Sequence, residues 1–389
     1  MPLGAVWALC VSAALLACGS SSDGGSTSSE PEVFTGSVDE FYVVPDPLPE
    51  GEPGDLIRIQ AIGESLDATT LRIMYHSRDA QDRDRAVTGI LTYPNAAPPE
   101  GVWPVVAWAH GTTGLASPCA PSRGGSPAPR FGITGVGVAT DYIGLGPVGE
   151  IHPYLSRLSE GHSVIDSVRA ARDLPAAGAG GRWLAVGHSQ GGHAAQSTHE
   201  LAEIYAPELE HLGTASIAPG ALFDRSYGID DVIVHVVGAM GLYGGVTDYP
   251  EIRFEDYASP DGVAAAEVME TGCLNEIGAS VLSVPIDEFY DHHPLETEPA
   301  RSLFLANDVG GVRAFAPLLL VSGTADTTVV IERMHDLLDK LCSVGQVTEY
   351  LELEGADHRN EVPLAADEIE AWFEARLRGD AAIDACAAP

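Results

Sequence analysis

From about residue 55 onward, short apolar runs rich in β-branched and aromatic residues are separated by turn-forming residues. Runs of this kind predict strands, and short turns between them favour antiparallel neighbours. The runs cover residues 56–62, 71–76, 86–93 and 102–109. We therefore expect the sheet to begin with antiparallel strands.

Beyond residue 130, apolar runs alternate with segments that have the periodicity of helices. The predicted strands are residues 133–139, 183–186, 214–218, 317–322 and 347–353, and the predicted helices are residues 163–174, 193–205, 330–341 and 364–377. This alternation is typical of βαβ units. It predicts an α/β fold with a mainly parallel central sheet and helices on both faces.

The alternation breaks between about residues 219 and 301, where glycine-rich apolar segments mix with acidic ones. We interpret this stretch as a cap inserted over the active face. A length of 389 residues with 45% hydrophobic content suffices for a large core. The sequence therefore favours one α/β domain, residues 54–389, that carries the cap.

The N-terminus has the pattern of an export signal. An apolar stretch over residues 3–17 is too short to span a bilayer comfortably, and it ends at Cys18 before an abrupt change to polar residues. Residues 15–18 resemble a bacterial lipobox, which predicts a lipid-modified Cys18; an ordinary cleaved signal is the alternative. Residues 19–53 are polar, acidic and proline-bearing, and predict a flexible tether. We expect a lipoprotein anchored at the cell envelope, or otherwise a secreted protein.

The chain is strongly acidic, with a formal net charge of -36 at pH 7. Phosphate groups would be repelled, which excludes nucleic acid or an anionic membrane surface as a partner held by charge. Binding to lipid would have to be apolar or covalent. The sequence does not predict an oligomeric state.

Four cysteines follow the leader: Cys119, Cys273, Cys342 and Cys386. An even number in an exported protein predicts two disulfides, and three pairings are open. Four thiolate ligands to a metal are the rival interpretation. The wide spacing and the lack of a C-x-x-C pair disfavour it.

A G-x-S-x-G sequence, Gly187 to Gly191, follows an apolar run and precedes a helical segment. In that context it predicts a nucleophile elbow, in which Ser189 occupies a strained turn that needs small neighbours. A chance turn is the alternative in a chain with 43 glycines. The strand before the motif and the helix after it favour the elbow.

A nucleophilic serine needs a histidine to accept its proton and a carboxylate to orient that histidine. In proteins with such an elbow, the acid and then the histidine follow the serine along the chain. Asp326 follows the predicted strand 317–322, and His358 follows the next strand. Both are therefore expected at the edge of the sheet that carries the elbow. Asp357 is the competing acid, but adjacent side chains in an extended loop point apart.

We assign no catalytic role to four other histidines near the predicted site or in the cap. His188 and His193 flank the elbow and are expected to pack or to line the pocket. His292 and His293 end an acidic run, residues 287–293, which we interpret as a solvated cap loop rather than a metal site, because adjacent side chains face different ways. The sequence predicts no metal and no cofactor.

Ester or amide hydrolysis also needs donors for the oxygen that becomes negative. The backbone N–H of Gln190 is one expected donor, and the loop 110–114, His-Gly-Thr-Thr-Gly, is expected to supply the other. We assign that second role jointly to Gly111 and Thr112. A plain glycine-rich turn is the alternative.

Several segments together resemble the bacterial branch of the secretory lipase family. They are residues 119–122 (C-A-P-S), 141–146 (D-Y-I-G-L-G), 152–155 (H-P-Y-L), 166–172, the elbow with Gln190, and 205–209 (Y-A-P-E-L). The resemblance extends from about residue 102 to residue 386. It implies an α/β-hydrolase fold with a lid, and cleavage of acylglycerols or other carboxylic esters.

The resemblance also implies roles for particular residues. It assigns Ser189, Asp326 and His358 to a catalytic triad. It further implies one disulfide between Cys119 and Cys273, and another between Cys342 and Cys386.

The predicted function is that of a serine hydrolase acting on carboxylic esters, most consistent with a triacylglycerol lipase whose acyl-enzyme forms on Ser189. A short-chain or polymer carboxylesterase on the same fold is the first alternative. A non-catalytic, hydrolase-like surface protein is the second, which the intact triad candidates disfavour. Apolar cap residues either offer an apolar surface to lipid or line an acyl tunnel, or else they form buried core: Val236, Val237, Met240, Leu242 and Tyr243.

Overall fold

The computed structural model describes residues 30–98, 101–224 and 232–387. Within these ranges ten strands form one sheet in the order β1-β2-β3-β4-β6-β5-β7-β8-β9-β10. The strands are β1 (Glu32–Val33), β2 (Leu56–Glu64), β3 (Ala68–Arg78), β4 (Asp84–Pro94), β5 (Trp103–Ala109), β6 (Val136–Thr140), β7 (Ala179–His188), β8 (Glu210–Ile217), β9 (Leu318–Gly323) and β10 (Thr348–Leu353).

The sheet is antiparallel at β2, β3, β4 and β6, and parallel from β6 through β5 to β10. One prediction was wrong: residues 102–109 do not continue the antiparallel start. They form β5, which pairs in parallel with both β6 and β7. The reason is burial on both faces, which gives a continuous apolar run instead of an alternating one.

The helices within the described ranges are α1 (Val38–Phe41), α2 (Arg157–Asp173), α3 (Gln190–Tyr205), α4 (Val232–Gly245), α5 (Pro260–Ala266), α6 (Leu274–Val281), α7 (Ile286–Phe289), α8 (Ala300–Ala306), α9 (Ile331–Ser343) and α10 (Glu361–Arg378). Alternate side chains of β5 show which helices cover each face of the sheet. Val105 and Ala107 pack against α2 and α3, whereas Val106 packs in the cluster that contains Trp372 and Phe373 of α10. The sheet therefore lies between two helical layers, as expected of an α/β-hydrolase fold.

Helix α2 begins at Arg157, six residues before the predicted start. Its first turns carry Ser159 and Glu160, which are buried although they are polar. Ser159 donates a hydrogen bond of 2.7 Å to Asp248 of the cap. Glu160 accepts a hydrogen bond from Nδ1 of His193, which lies beneath the elbow. Buried polar partners of this kind hide the helical pattern, because the apolar periodicity is interrupted where they occur.

Between β8 and β9 the chain forms α4 to α8, which occupy the stretch interpreted as a cap, residues 219–301, and extend past it to Ala306. These helices have a core of their own, with Met240, Leu242, Met269 and Phe289 fully buried. A disulfide between Cys119 and Cys273 ties the start of α6 to the segment that follows β5. Leu115 and Leu155 of the sheet domain belong to the same cluster, so the cap is packed onto that domain as well as covalently joined to it.

Both disulfides have the pairing that the family resemblance implied. The second joins Cys342 at the end of α9 to Cys386 near the C-terminus. It fixes the segment after α10 beside the edge strand β10, where the amide of Ala385 donates to the carbonyl of Thr348 at 2.7 Å.

The predicted tether, residues 19–53, is too long at its C-terminal end. Strand β1 pairs with β2, and Phe41 and Tyr42 are fully buried. The Arg58 guanidinium donates to the carbonyls of Phe41 and Val43 at 3.2 and 3.0 Å. The apolar run around Phe41 is too short to predict a strand or a helix from the sequence. It is buried because residues far away in the chain, such as Arg58, contact it. Cys18 and residues 19–29 lie outside the described residues.

None of the helices in the described ranges has the length and apolar content needed to cross a bilayer.

We expect the folded state to lose stability in mild acid because of His199 on α3. Burial lowers the pKa of His199 from 6.5 to about 4. The unfolded chain therefore binds a proton near pH 6.5 that the folded chain binds only near pH 4. The contribution of His199 to the free energy of unfolding is fully present above pH 6.5 and falls as the pH decreases toward 4. Urea unfolding at pH 7.5 and pH 5 should show His199→Leu losing less stability than the wild type, by on the order of 2 kcal/mol.

The matched control is His292→Leu, since His292 is exposed. It should follow the wild type at both pH values. Equal losses for His199→Leu and the wild type would contradict the assignment.

Candidate active site

Ser189 lies at the junction of β7 and α3 with φ 60° and ψ -118°. This backbone conformation is costly for a residue with a side chain, and it is the geometry of a nucleophile elbow. The flanking glycines are needed for space. A Cβ on Gly187 would lie 2.0 Å from the carbonyl oxygen of Gly191, and one on Gly191 would lie 2.0 Å from that of Ala109.

The three residues proposed for the triad are brought together from distant parts of the chain. The Nε2 atom of His358 lies 2.9 Å from Oγ of Ser189, and its Nδ1 atom lies 2.7 Å from Oδ2 of Asp326. Asp326 follows β9, and His358 follows β10. In this geometry a histidine can remove a proton from a serine while a carboxylate orients its ring.

The carboxylate of Asp326 is held in place by more than the histidine. Its Oδ1 atom accepts hydrogen bonds from the amides of Thr328 and Val329 at 2.7 and 2.9 Å. Burial alone would raise the pKa of Asp326, but the bonds from His358 and from these amides outweigh it and lower the pKa. Asp326 is therefore an acceptor with its charge available at neutral pH.

Asp357, the competing acid, is occupied elsewhere. Its Oδ1 atom accepts from the amides of Arg359 and Asn360 at 3.0 and 3.2 Å, so it shapes the turn that precedes α10. Asp357 and His358 therefore bond to different partners.

The loop 110–114 passes directly beside the nucleophile. A Cβ on Gly111 would lie 3.8 Å from Cβ of Ser189 and 3.3 Å from the carbonyl oxygen of His188. Tyr142 donates to the carbonyl of His110 at 2.9 Å, and the Thr112 hydroxyl is paired with the Tyr154 hydroxyl at 2.7 Å. The backbone of Gly111 therefore borders the same space as the amide of Gln190, the first residue of α3.

Beneath the elbow lies a buried carboxylate that the sequence argument missed. Glu160 accepts from the Gln190 side-chain amide and from Nδ1 of His193, each at 2.8 Å, and from the amide of Leu155 at 3.0 Å. Burial alone would raise its pKa, but His152 and His193 lower the pKa to about 2. His193 thus packs under the elbow, which is one of the two roles expected for it. The only signal in the sequence was a charged residue ahead of a predicted helix.

A second missed carboxylate, Glu361, lies close to both His188 and His358. Glu361 is fully buried, and its Oε2 atom is 3.3 Å from Nε2 of His188 and 4.0 Å from Nδ1 of His358. Burial, with a further contribution from the nearby charge of Asp326, raises the pKa of Glu361. Nothing in the sequence around this position sets it apart from any helix-starting glutamate.

A cavity of about 1430 Å³ connects Ser189 and His358 with the cap. Of the five apolar cap residues named above, Val236 and Val237 line it, whereas Met240 and Leu242 are fully buried core. Tyr243 donates to Glu270 at 3.1 Å outside the cavity wall. The core interpretation is thus confirmed for Met240 and Leu242, while a role of Val236 and Val237 toward an acyl chain stays a prediction.

The interpretation of residues 287–293 as a solvated loop is wrong for the first three, which belong to α7, where Phe289 is fully buried. Asp287 and His293 line the cavity, whereas His292 is exposed. Among the described residues, the donor atoms close enough to share a metal ion are those of His188, His358 and Glu361, within 4.8 Å of one another. His358 is already bonded to Ser189 and Asp326, so the arrangement favours proton transfer over metal binding.

One protein family matches the larger part of the chain. The family described as secretory lipase matches residues 130–385. A search of curated protein sequences found no match.

Solved structures share the fold at low sequence identity. The rice cell wall degrading esterase LipA from Xanthomonas oryzae is 18% identical, with a TM-score of 0.69 over 84% of this chain and 98% of that chain. Candida antarctica lipase A in its closed state is 15% identical, with a TM-score of 0.69 over 89% and 87%. A putative hydrolase from Legionella pneumophila is 18% identical, with a TM-score of 0.69 over 82% and 92%.

With a family match that spans most of the chain and a lipase-like fold around the elbow, this chain belongs to the secretory lipase family and is a carboxylic ester hydrolase of the α/β-hydrolase fold.

Proposed function

We propose that the protein cleaves long-chain carboxylic esters, triacylglycerols among them, through an acyl-enzyme on Ser189. The observation that carries this proposal is the hydrogen-bonded series from Ser189 through His358 to Asp326, with distances of 2.9 and 2.7 Å. These three groups are those that serine hydrolases need for acyl transfer.

The reaction proceeds in two steps. His358 takes the proton of Ser189 through Nε2 while Oγ attacks the ester carbonyl, and Asp326 accepts a hydrogen bond from Nδ1–H. The oxyanion is stabilised by the amide of Gln190 and by an amide of the loop at Gly111 and Thr112. His358 then gives its proton to the leaving alcohol, and water repeats the sequence to release the acid.

The preference for long chains rests on the cavity. Its volume of about 1430 Å³ exceeds the roughly 300–1000 Å³ that is usual for small-molecule sites. Apolar side chains of α4 and α6 form much of the cap side of its wall, among them Val236, Val237 and Leu274. An ester with a two- to four-carbon acyl chain would leave most of this apolar surface in contact with water.

Export follows from family membership together with the two disulfides. We extend this to a lipid anchor on Cys18, which lies outside the described residues. The anchor would hold the acidic enzyme at the cell envelope, where charge alone would repel it from anionic lipid.

The first test is a chain-length profile with p-nitrophenyl esters and emulsified triglyceride. We expect kcat/KM to rise with acyl length, because apolar area enters the cavity, and Ser189→Ala to lower it at least about 10⁴-fold. Wild-type Ser189 should react with a fluorophosphonate probe. Activity confined to two- to four-carbon esters would instead favour a short-chain or polymer esterase, and a folded protein that fails to label would favour a non-catalytic role.

A second test separates the two candidate acids. Asp326→Asn should lower kcat about 10³-fold or more, because the amide no longer holds the required tautomer of His358. Asp357→Asn is the matched control, since that side chain shapes a turn and should leave kcat within about twofold of the wild type. Equal losses in both variants, measured on folded protein, would contradict the assignment.

Anchoring is tested separately by cell fractionation. The wild type should remain with the envelope and have a mature mass that includes the lipid, whereas Cys18→Ser should be soluble or retain its leader. An unmodified mature terminus in the intact-mass spectrum of the wild type would exclude the anchor.

A further inference from the structure

His193, in the first turn of α3, has a hydrogen-bond acceptor beside each of its two ring nitrogens. Its Nδ1 atom lies 2.8 Å from Oε2 of Glu160, and its Nε2 atom lies 2.8 Å from the carbonyl oxygen of Asn307. A backbone carbonyl only accepts, so Nε2 carries a proton. An ionised carboxylate also only accepts, so the charge of Glu160 decides whether Nδ1 carries a second proton.

The hydrogen bonds of Glu160 favour its ionised form. Its Oε1 atom accepts from the Gln190 side-chain amide at 2.8 Å and from the backbone amide of Leu155 at 3.0 Å. Together with Nδ1 of His193, three N–H groups stabilise the charge of the carboxylate. Burial alone would raise the pKa of Glu160, but His152 and His193 lower it to about 2. Burial alone would lower the pKa of His193, but the bond to Glu160 raises it.

His152, the neighbouring histidine of the network, is neutral by the same reasoning. Its Nδ1 atom donates to the carbonyl of Ile143 at 2.8 Å, and its Nε2 atom accepts from the Gln190 side-chain amide at 2.7 Å. One donating and one accepting nitrogen are those of an uncharged ring. Since His152, Glu160 and His193 are fully buried, the network holds one negative charge on Glu160 and one positive charge on His193.

Other charged groups near Asn307 are bound to one another. Two ion pairs lie there, each closed at 2.6 Å: Lys340 with Asp308, and Arg157 with Glu200. Asp308 acts on His193 through space and adds to the larger effect of Glu160. Glu160 is therefore the carboxylate that bonds directly to the ring.

The position of His193 connects the elbow with the cap. Its backbone amide donates to the carbonyl of Ser189 at 3.1 Å and so closes the first turn of α3. Its ring reaches Asn307, the residue that follows α8. The Asn307 side chain in turn accepts from the amide of Arg157, at the start of α2, at 2.9 Å. One charged ring thus links the elbow, the end of a cap helix and the start of α2.

Loss of the second ring proton would break this link. Nδ1 would then present a lone pair to a carboxylate oxygen 2.8 Å away, and Glu160 would be a buried charge without its partner. Because the folded-state pKa of His193 is raised above 6.5, the stability that the pair contributes is fully present below pH 6.5. It is lost as the pH rises through the folded-state value.

We propose that His193 is a buried imidazolium that, paired with Glu160, acts as a positioning residue for the elbow, and that loss of its proton sets the alkaline limit of ester cleavage. The inference rests on the proposed roles of Ser189 and of the Gln190 amide. His193 lies outside the lining of the cavity, so it acts through the first turn of α3 and not on the substrate.

The first experiment measures the protonation state by NMR on the full-length wild type with ¹⁵N-labelled histidine. At pH 7.5 a histidine with an ordinary pKa of about 6.5 is mostly neutral. Both ring nitrogens of His193 should nevertheless carry protons, whereas His152, the internal control, should carry one at Nδ1. Signals are assigned by their loss in His193→Gln or, should that variant not fold, by through-bond correlation from the backbone. A neutral His193 ring at pH 7.5 would overturn the proposal.

The second experiment follows kcat/KM for a p-nitrophenyl ester against pH. In the wild type it should fall at alkaline pH together with the imidazolium signals. His193→Gln has no ring proton to lose, so its profile should lack this fall. Its kcat at pH 7.5 should be about tenfold below that of the wild type with KM within about twofold, because the Gln190 amide is held less well.

The matched control is His199→Gln, which replaces another buried histidine of α3 whose pKa is lowered by burial. It should retain the alkaline fall and a kcat within about twofold of the wild type. An alkaline fall that folded His193→Gln retains unchanged would contradict the role of this ring.

A double variant tests the charge pairing itself. Glu160→Gln with His193→Gln removes both charges and should unfold at a higher urea concentration than either single variant, because each single change leaves one buried charge without its partner. A double variant that unfolds as early as the sum of the two single losses predicts would contradict the pairing. Failure of the underlying function is recognised differently: the wild type would cleave no ester and Ser189 would not label with a fluorophosphonate, while the NMR signals would still report the charge of His193.

Discussion

The close approach of backbone segments around Ser189 is the constraint on which the rest of the site depends. Gly187 and Gly191 let β7, α3 and the end of β5 meet at distances that no side chain allows. The strained conformation of Ser189 costs roughly 1–3 kcal/mol. It is held by its amide, which donates to Ile217 of β8 at 2.9 Å, and by its carbonyl, which accepts from Gly220 at 3.3 Å.

The support beneath this junction is polar. A buried carboxylate is tolerated only when its hydrogen bonds are complete, and Glu160 meets that condition through His193, Gln190 and the chain at Leu155. These partners belong to α3 and to the segment that precedes α2. A single charge therefore positions both the start of the helix that carries the candidate oxyanion donor and the loop that borders the pocket.

The cap side of the cavity wall belongs to a different part of the molecule from the elbow. The candidate triad residues lie on the sheet domain, whereas the cap supplies much of the opposite wall of the cavity. The disulfide from Cys119 to Cys273 and the bonds from Ser156 and Ser159 to Asp248 join the two parts. One cavity is thus bordered by both parts, with Ser189 on the sheet side.

The sequence by itself determined what depends on neighbouring residues: the strand and helix around Ser189, and the placement of Asp326 and His358 after consecutive strands. Only the tertiary structure decided the parallel pairing of β5, the burial of Phe41, and the presence of Glu160 and Glu361 beside the site. The physical reason is that these features arise from partners far away in the chain. A buried glutamate has the same local sequence as an exposed one, and only its distant histidines distinguish the two.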